Sequence, residues 1–211
     1  SLKAIIKGKG FSEKNRMTTI DGTINYADIN GYRYKNITVD GLLDKKMFEG
    51  TASIKDENAD LHLNGVIDFN KKTPRFNLQA DVAKAYLYKL GLTRDSLSFT
   101  GKANLDFTSD NIDNFLGSAR ISDAELKKGD QRIAFDSLVV TAGYEGGVKK
   151  LNVGSNEFKG TITGNYNLNA LPSVVTYFLN KYYPSYVKAP KRLPKEQAFD
   201  FDIETFYVDE Y

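Results

Sequence analysis

The chain has no cysteine, no tryptophan and a single histidine, His62, among its 211 residues. Without cysteine there is no disulfide framework and no thiolate metal site. With one histidine, a zinc centre or a serine-histidine-aspartate triad has almost no material. Charge of one sign is also lacking. The 29 Lys and Arg face 27 Asp and Glu, and the net of +2 supplies no global pull toward nucleic acid or acidic lipid. No run approaches the ~20 consecutive apolar residues of a membrane-spanning helix. No phosphate loop occurs either, because Gly143 to Gly147 is followed by Val148-Lys149-Lys150 and a strand pattern, not a helix. Asp56, Asn58 and Asp60 imitate the first ligands of a calcium loop, but Leu61 replaces its glycine and Ile67 its bidentate glutamate. These absences point away from an enzyme, and no cofactor or metal is expected.

What the chain has is alternation. From Leu97 to Phe107 the odd positions are Leu97, Phe99, Gly101, Ala103, Leu105 and Phe107; the even ones are Ser98, Thr100, Lys102, Asn104 and Asp106. Strand side chains alternate between faces, so this stretch has one apolar face and one polar face. About eleven residues at ~3.3 Å each make it roughly twice as long as an ordinary strand. Similar segments near 2–9, 17–27, 32–43, 47–55, 59–69, 75–83, 117–125, 132–142, 148–155, 158–168 and 198–206 are read as strands. Short turn signals separate them, such as Asp44-Lys45-Lys46 and Lys128-Gly129-Asp130. Such connections suit antiparallel hairpins, so the fold class is all-β, an elongated antiparallel sheet with little helix.

A weak repeat (36–41, 96–101 and 137–142) fits an elongated architecture. Gly22, Gly41, Gly50, Gly65, Gly101, Gly117, Gly160 and Gly164 fall on the apolar parity of their strands. Glycine there marks a bend or a close approach, and repeated on one face it would roll a sheet into a half-open trough. Ala83–Leu90 and Asn111–Phe115 read as short helical pieces. Pro172–Tyr183 reads as an amphipathic helix, with Val175, Phe178 and Leu179 on its apolar face. A Pro- and Lys-rich loop follows over 185–197. Since the first and last segments are both strand-like, the chain is expected to be a piece of something longer.

The apolar wall is expected to be formed by Leu61, Leu63, Ile67, Phe69, Phe76, Leu78, Leu97, Phe99, Leu105, Phe107, Phe158 and Ile162. Alternation alone leaves two readings open: a trough that shelters an apolar ligand, or a closed β-sandwich core with none.

Four stretches carry a resemblance: Asp113-Asn114-Phe115-Leu116-Gly117, Phe135-Asp136-Ser137-Leu138, Ser155-Asn156-Glu157-Phe158, and the closing Leu171-Pro172 with Phe178-Leu179-Asn180-Lys181-Tyr182-Tyr183-Pro184-Ser185-Tyr186. The chain resembles the TamB family of envelope proteins, within the AsmA-like superfamily and in the style of its Bacteroidetes-type members. The resemblance spans nearly all of 1–211 as one internal segment. It implies a long periplasmic protein, anchored in the inner membrane by a helix outside this segment, whose sheet folds lengthwise into a greasy trough called a β-taco. It also implies phospholipid acyl chains as ligand, transport of phospholipid between inner and outer membranes, and an outer-membrane barrel as protein partner. The alternative role is a scaffold that assembles outer-membrane proteins by strand-edge pairing. Nucleic acid is not an expected partner. Helix and flank (171–184) would cap or plug the trough.

Overall fold

The structure, a computed structural model, describes residues 5–8, 17–29, 31–190 and 197–206. Alternation becomes strand almost everywhere it was expected. The strands are β1 (Ile5–Gly8), β2 (Met17–Ile29), β3 (Tyr32–Asp44), β4 (Met47–Lys55), β5 (Ala59–Asp68) and β6 (Arg75–Tyr86). They continue with β7 (Leu97–Thr108), β8 (Leu116–Lys128), β9 (Gln131–Glu145), β10 (Val148–Gly154), β11 (Phe158–Asn165) and β12 (Ala198–Thr205). All twelve join one sheet in chain order, each antiparallel to the next. The sheet does not close, since β1 pairs only with β2 and β12 only with β11 among the described residues. It is an all-β, half-open curled trough with one helix, α1 (Leu171–Tyr182), between β11 and β12.

In such a meander the connections alternate between two ends. One end carries the β4–β5 turn and the β6–β7 connection; the other carries the β7–β8 connection and the long β11–β12 connection with α1. The curl has two local sources. Gly65 has φ +143°, and a Cβ there would lie 2.0 Å from the Asn77 carbonyl oxygen of β6. Gly117 has φ +135°, and its Cβ would lie 2.2 Å from the Asp106 oxygen of β7. Only glycine allows neighbouring backbones so close on this face. The second source is a set of bulges crossing the sheet. Register shifts occur at Asp60/Leu61, between Val82 and Ala85, and between Thr100 and Lys102. Asn36 and Asp123 have φ of 51° and 50°. Bulges bend the strand that carries them and increase its twist.

One expectation is corrected. Ala83–Leu90 is not helical: β6 keeps its pairing with β7 through Tyr86, and only a turn follows. Alanine and lysine favour helix weakly, and the cross-strand partners Phe99 and Ser98 override that preference. The 111–115 segment is a single 3-10 turn, Ile112–Asn114. Of the 185–197 loop, 191–196 lie outside the described residues, as do residues 2–4 and 9 of the first expected strand.

Candidate apolar groove

Directly paired residues in an antiparallel sheet share a face, so the registers trace rows across it. One row runs Leu43, Phe48, Ile67, Phe76, Phe107, Gly117, Ala142, Leu151, Ile162 and Phe201, from β3 to β12. A second runs Gly41, Gly50, Gly65, Leu78, Leu105, Ala119, Val140, Val153, Gly160 and Ile203. Neither row holds a charged residue. The ten strands are separated by nine spacings, so each row is about 43 Å long if measured flat.

The structure brings the nominated wall residues to this face. Ile67, Phe76, Phe107 and Ile162 are in the first row and Leu78 and Leu105 in the second. Leu63 lies between Ala52 and Ala80, and Leu61 between Ile54 and Val82. Phe99 pairs with Ala85 and Leu126. Leu97 and Phe158 stand near strand ends, opposite Lys128 and Thr205. Phe69 follows β5 and packs edge-on against Phe76, at 6.0 Å between ring centroids. Phe76 stacks on Phe107 at 4.9 Å, and Phe107 meets Phe115 at 5.0 Å, giving four linked rings at one end of the groove.

This face is not sealed. The described residues form one sheet, the extensive contacts of each strand are with its neighbours, and no large side chain is wholly buried. The nominated residues are half-buried, and Phe69 is exposed. A sandwich core would have buried Phe76 and Phe107 between two sheets.

Opposite corners of the face are covered. At one end, Leu90 of the β6–β7 connection, only 2% exposed, packs with Tyr34, Ile37, Ala59 and Ala85. Beside it, Asp56 accepts hydrogen bonds from the Tyr32 hydroxyl, from the Asn58 N–H at 2.9 Å and from the Lys35 N–H at 3.0 Å. Burial works to raise the Asp56 carboxyl, but these donors bring it net below the ordinary aspartate value. Burial, with the Asp56 charge nearby, pushes the Tyr34 hydroxyl up.

At the other end Asp113, in the β7–β8 connection, reaches the residues after β11. It accepts from the Asn169 N–H at 3.1 Å, the Asn167 amide at 2.7 Å and the Asn169 amide at 3.1 Å. These bonds, the Asn169 N–H first, hold its carboxyl below the usual range. In a flat sheet β8 and β11 would stand roughly 14 Å apart, so the link accompanies the curl.

Helix α1 does not plug the groove. It has no buried residue, and Val175, Phe178 and Leu179 are all exposed. Phe178 instead packs on Tyr182, at 4.9 Å between centroids.

Sequence reasoning missed Phe48 of β4 and much of the β8–β12 half: Val140, Leu151, Val153, Phe201 and Ile203 also belong to the rows. Leu138-Val139-Val140 hides the parity of β9, because Val139 lies on the polar face opposite Arg120. The period-2 signal in 151 and 153 was readable.

The opposite face is polar, with a ladder of Thr38, Ser53, His62, Asp81, Lys102 and Ser122 across β3–β8. A shallow depression of about 320 Å³ lies along it. Ser53 Oγ is 2.8 Å from His62 Nδ1, but no carboxylate is bonded to that ring among the described residues. The Lys102–Asp123 and Arg75–Asp106 pairs on this side, at 2.9 and 3.2 Å, are more than half exposed and contribute little to stability.

No family model, no curated protein and no solved structure matches the chain.

Proposed function

We propose that this chain is a segment of a non-enzymatic, TamB-like envelope protein, and that its apolar groove carries phospholipid acyl chains between the inner and outer membranes. One observation carries the reading: a charge-free apolar surface, continuous through ten paired strands, is left half-exposed along most of its length, with Leu151 its one buried member. Monomeric soluble proteins rarely leave so large a contiguous patch uncovered, and its polar rim and reverse face mark a site that takes something apolar. Each methylene laid on such a surface gains ~0.8 kcal/mol, so roughly ten of them would supply about 8 kcal/mol before ordering costs. The wall residues present surface and do no chemistry. No helix of the described residues is long and apolar enough to cross a membrane, so the inner-membrane anchor implied for the parent protein would lie outside them. The periplasmic setting belongs to the same proposal.

The test is lipid content. The chain is purified from cells and extracted, and its phospholipid is counted by mass spectrometry. Bound phospholipid that disappears in Leu63→Asp and Leu105→Asp but survives in His62→Ala supports the groove. A lipid-free wild-type chain contradicts it.

A specific feature favours a second reading, a scaffold for outer-membrane protein assembly with a partner barrel. The outer edge of β12 is unpaired among the described residues, and its Phe201 and Ile203 are 60% and 64% exposed. Such an edge can accept an added strand through main-chain hydrogen bonds. Crosslinks from the β12 edge to nascent barrel strands, with none to lipid in the rows, would favour the scaffold.

A further inference from the structure

Helix α1 presents an apolar stripe that nothing among the described residues covers. Val175, Phe178, Leu179 and Tyr182 recur at i, i+3, i+4 and i+7, so they lie along one side of the helix. All four are exposed, and no strand makes extensive contact with α1. Ser173, Thr176 and Asn180 fall on the opposite side. The Asn180 amide donates to the Val187 carbonyl at 2.6 Å, and the Val187 N–H donates to the Tyr183 carbonyl at 3.0 Å. These bonds fold the chain back beside the last turn of the helix. Tyr183, Tyr186 and Lys188, all exposed, are thereby kept near the end of the stripe.

Charge in this region has one sign. Glu157 and Glu196 bound the longest interval of the chain without Asp or Glu. Five of its six cations come in or after the last turn of α1: Lys181, Lys188, Lys191, Arg192 and Lys195. The net charge of +2 for the whole chain conceals this local excess. An apolar stripe, tyrosines with polar tips and cations without acids are together the chemistry of a helix that lies on an anionic bilayer. The stripe enters the boundary between headgroups and acyl chains, the tyrosine rings sit at headgroup level, and the ammonium groups meet phosphates. A stripe alone would suit a protein groove equally well. The tyrosines and the one-signed charge beside it favour the bilayer.

We propose that α1 and residues 183–188 form a docking surface for a bilayer that carries anionic phospholipid. The docking does not depend on the groove reading. Where both hold, the end of the groove with the four linked rings is held near the leaflet, because Phe115 and α1 lie at the same end of the sheet.

The 211-residue chain is mixed with vesicles of phosphatidylcholine alone, or of phosphatidylcholine and phosphatidylglycerol in equal amounts, and binding is read by flotation. The chain has no tryptophan, so Tyr182→Trp or Tyr88→Trp, at opposite ends of the sheet, each introduces a single reporter of depth. Wild type should bind the mixed vesicles about tenfold or more tighter than pure phosphatidylcholine. Phe178→Ser combined with Leu179→Ser should weaken binding about tenfold or more at a nearly unchanged unfolding midpoint, since both side chains are exposed. Lys181→Gln combined with Lys188→Gln should weaken it about tenfold, and arginine at both positions should preserve it. Emission should move to the blue in Tyr182→Trp and stay in Tyr88→Trp. Leu105→Asp, in the groove, should dock as wild type does. No binding by wild type, equal binding to both vesicles, or full binding by the Phe178 and Leu179 double variant overturns the docking and leaves the groove standing. Loss in Leu105→Asp with none in that double variant assigns the contact to the groove and also overturns it. A lipid-independent dimer that the same two substitutions dissolve would mean that a second copy covers α1, and overturns it too. A chain that purifies free of lipid yet docks with this pattern keeps the docking and removes the groove.

Discussion

Gly65 has no room for a side chain. A Cβ there would meet the Asn77 carbonyl at 2.0 Å in a backbone conformation that L-residues avoid, so Gly65→Ala should cost about 2–3 kcal/mol in urea unfolding. Gly129→Ala, with φ +59° and nothing within 4 Å, should cost only ~1 kcal/mol. Equal costs would mean that Gly65 does not bring β5 and β6 together. Glycine positions were readable because parity alone puts them on the apolar face. Asp56 was not, since its partners Tyr32 and Lys35 are 24 and 21 residues away and meet it only once β3, β4 and β5 pair. Its carboxyl lies below the ordinary 3.8, because three donors outweigh burial. Between the folded and unfolded values the folded chain binds fewer protons. The stabilisation is therefore complete above the unfolded value and lost as pH falls through the folded one. The urea midpoint should drop on acidification below about pH 4, and less steeply in Asp56→Asn. An identical pH profile in the two proteins would deny the carboxylate this role.

Among the elements, strands were the legible part. Period-2 alternation bounded by turn residues located all twelve, usually within two or three residues. The misreading of Ala83–Leu90 shows where local preference yields to pairing. Helix α1 was legible as a helix, since Pro172 opens it and Pro184 follows it, but its amphipathic face does not reveal what that face meets. With Val175, Phe178 and Leu179 exposed, replacing each by Ser should change stability by no more than about 0.5 kcal/mol. Leu90→Ala should instead cost about 2–4 kcal/mol, because Leu90 is the buried lid over Tyr34 and Ala59. A large loss from Phe178→Ser would show that α1 is packed after all. The other cover depends on a side chain. Asp113→Ala should speed amide hydrogen exchange across 109–115 and 167–170 and leave β3–β5 unchanged; uniform protection would contradict the clamp.

For the whole molecule, alternation revealed that one face is apolar, and it could not say whether a second sheet covers that face. The same Leu105 and Phe107 would serve a sandwich core equally well. The difference lies in long-range geometry: one sheet in chain order, curled by Gly65, Gly117 and the line of bulges, with Leu90 and Asp113 covering opposite corners and the rows between them open except at Leu151.

The most direct measurement is site-specific photo-crosslinking in cells, in the full-length protein, with the probe at Leu63, Phe99 or Leu105 and matched controls at His62, Thr100 and Asp106. The groove predicts phospholipid adducts at the first three positions and none at the controls. Capture of nothing at Leu63, Phe99 and Leu105, or equal lipid capture on both faces, would contradict an acyl-chain groove.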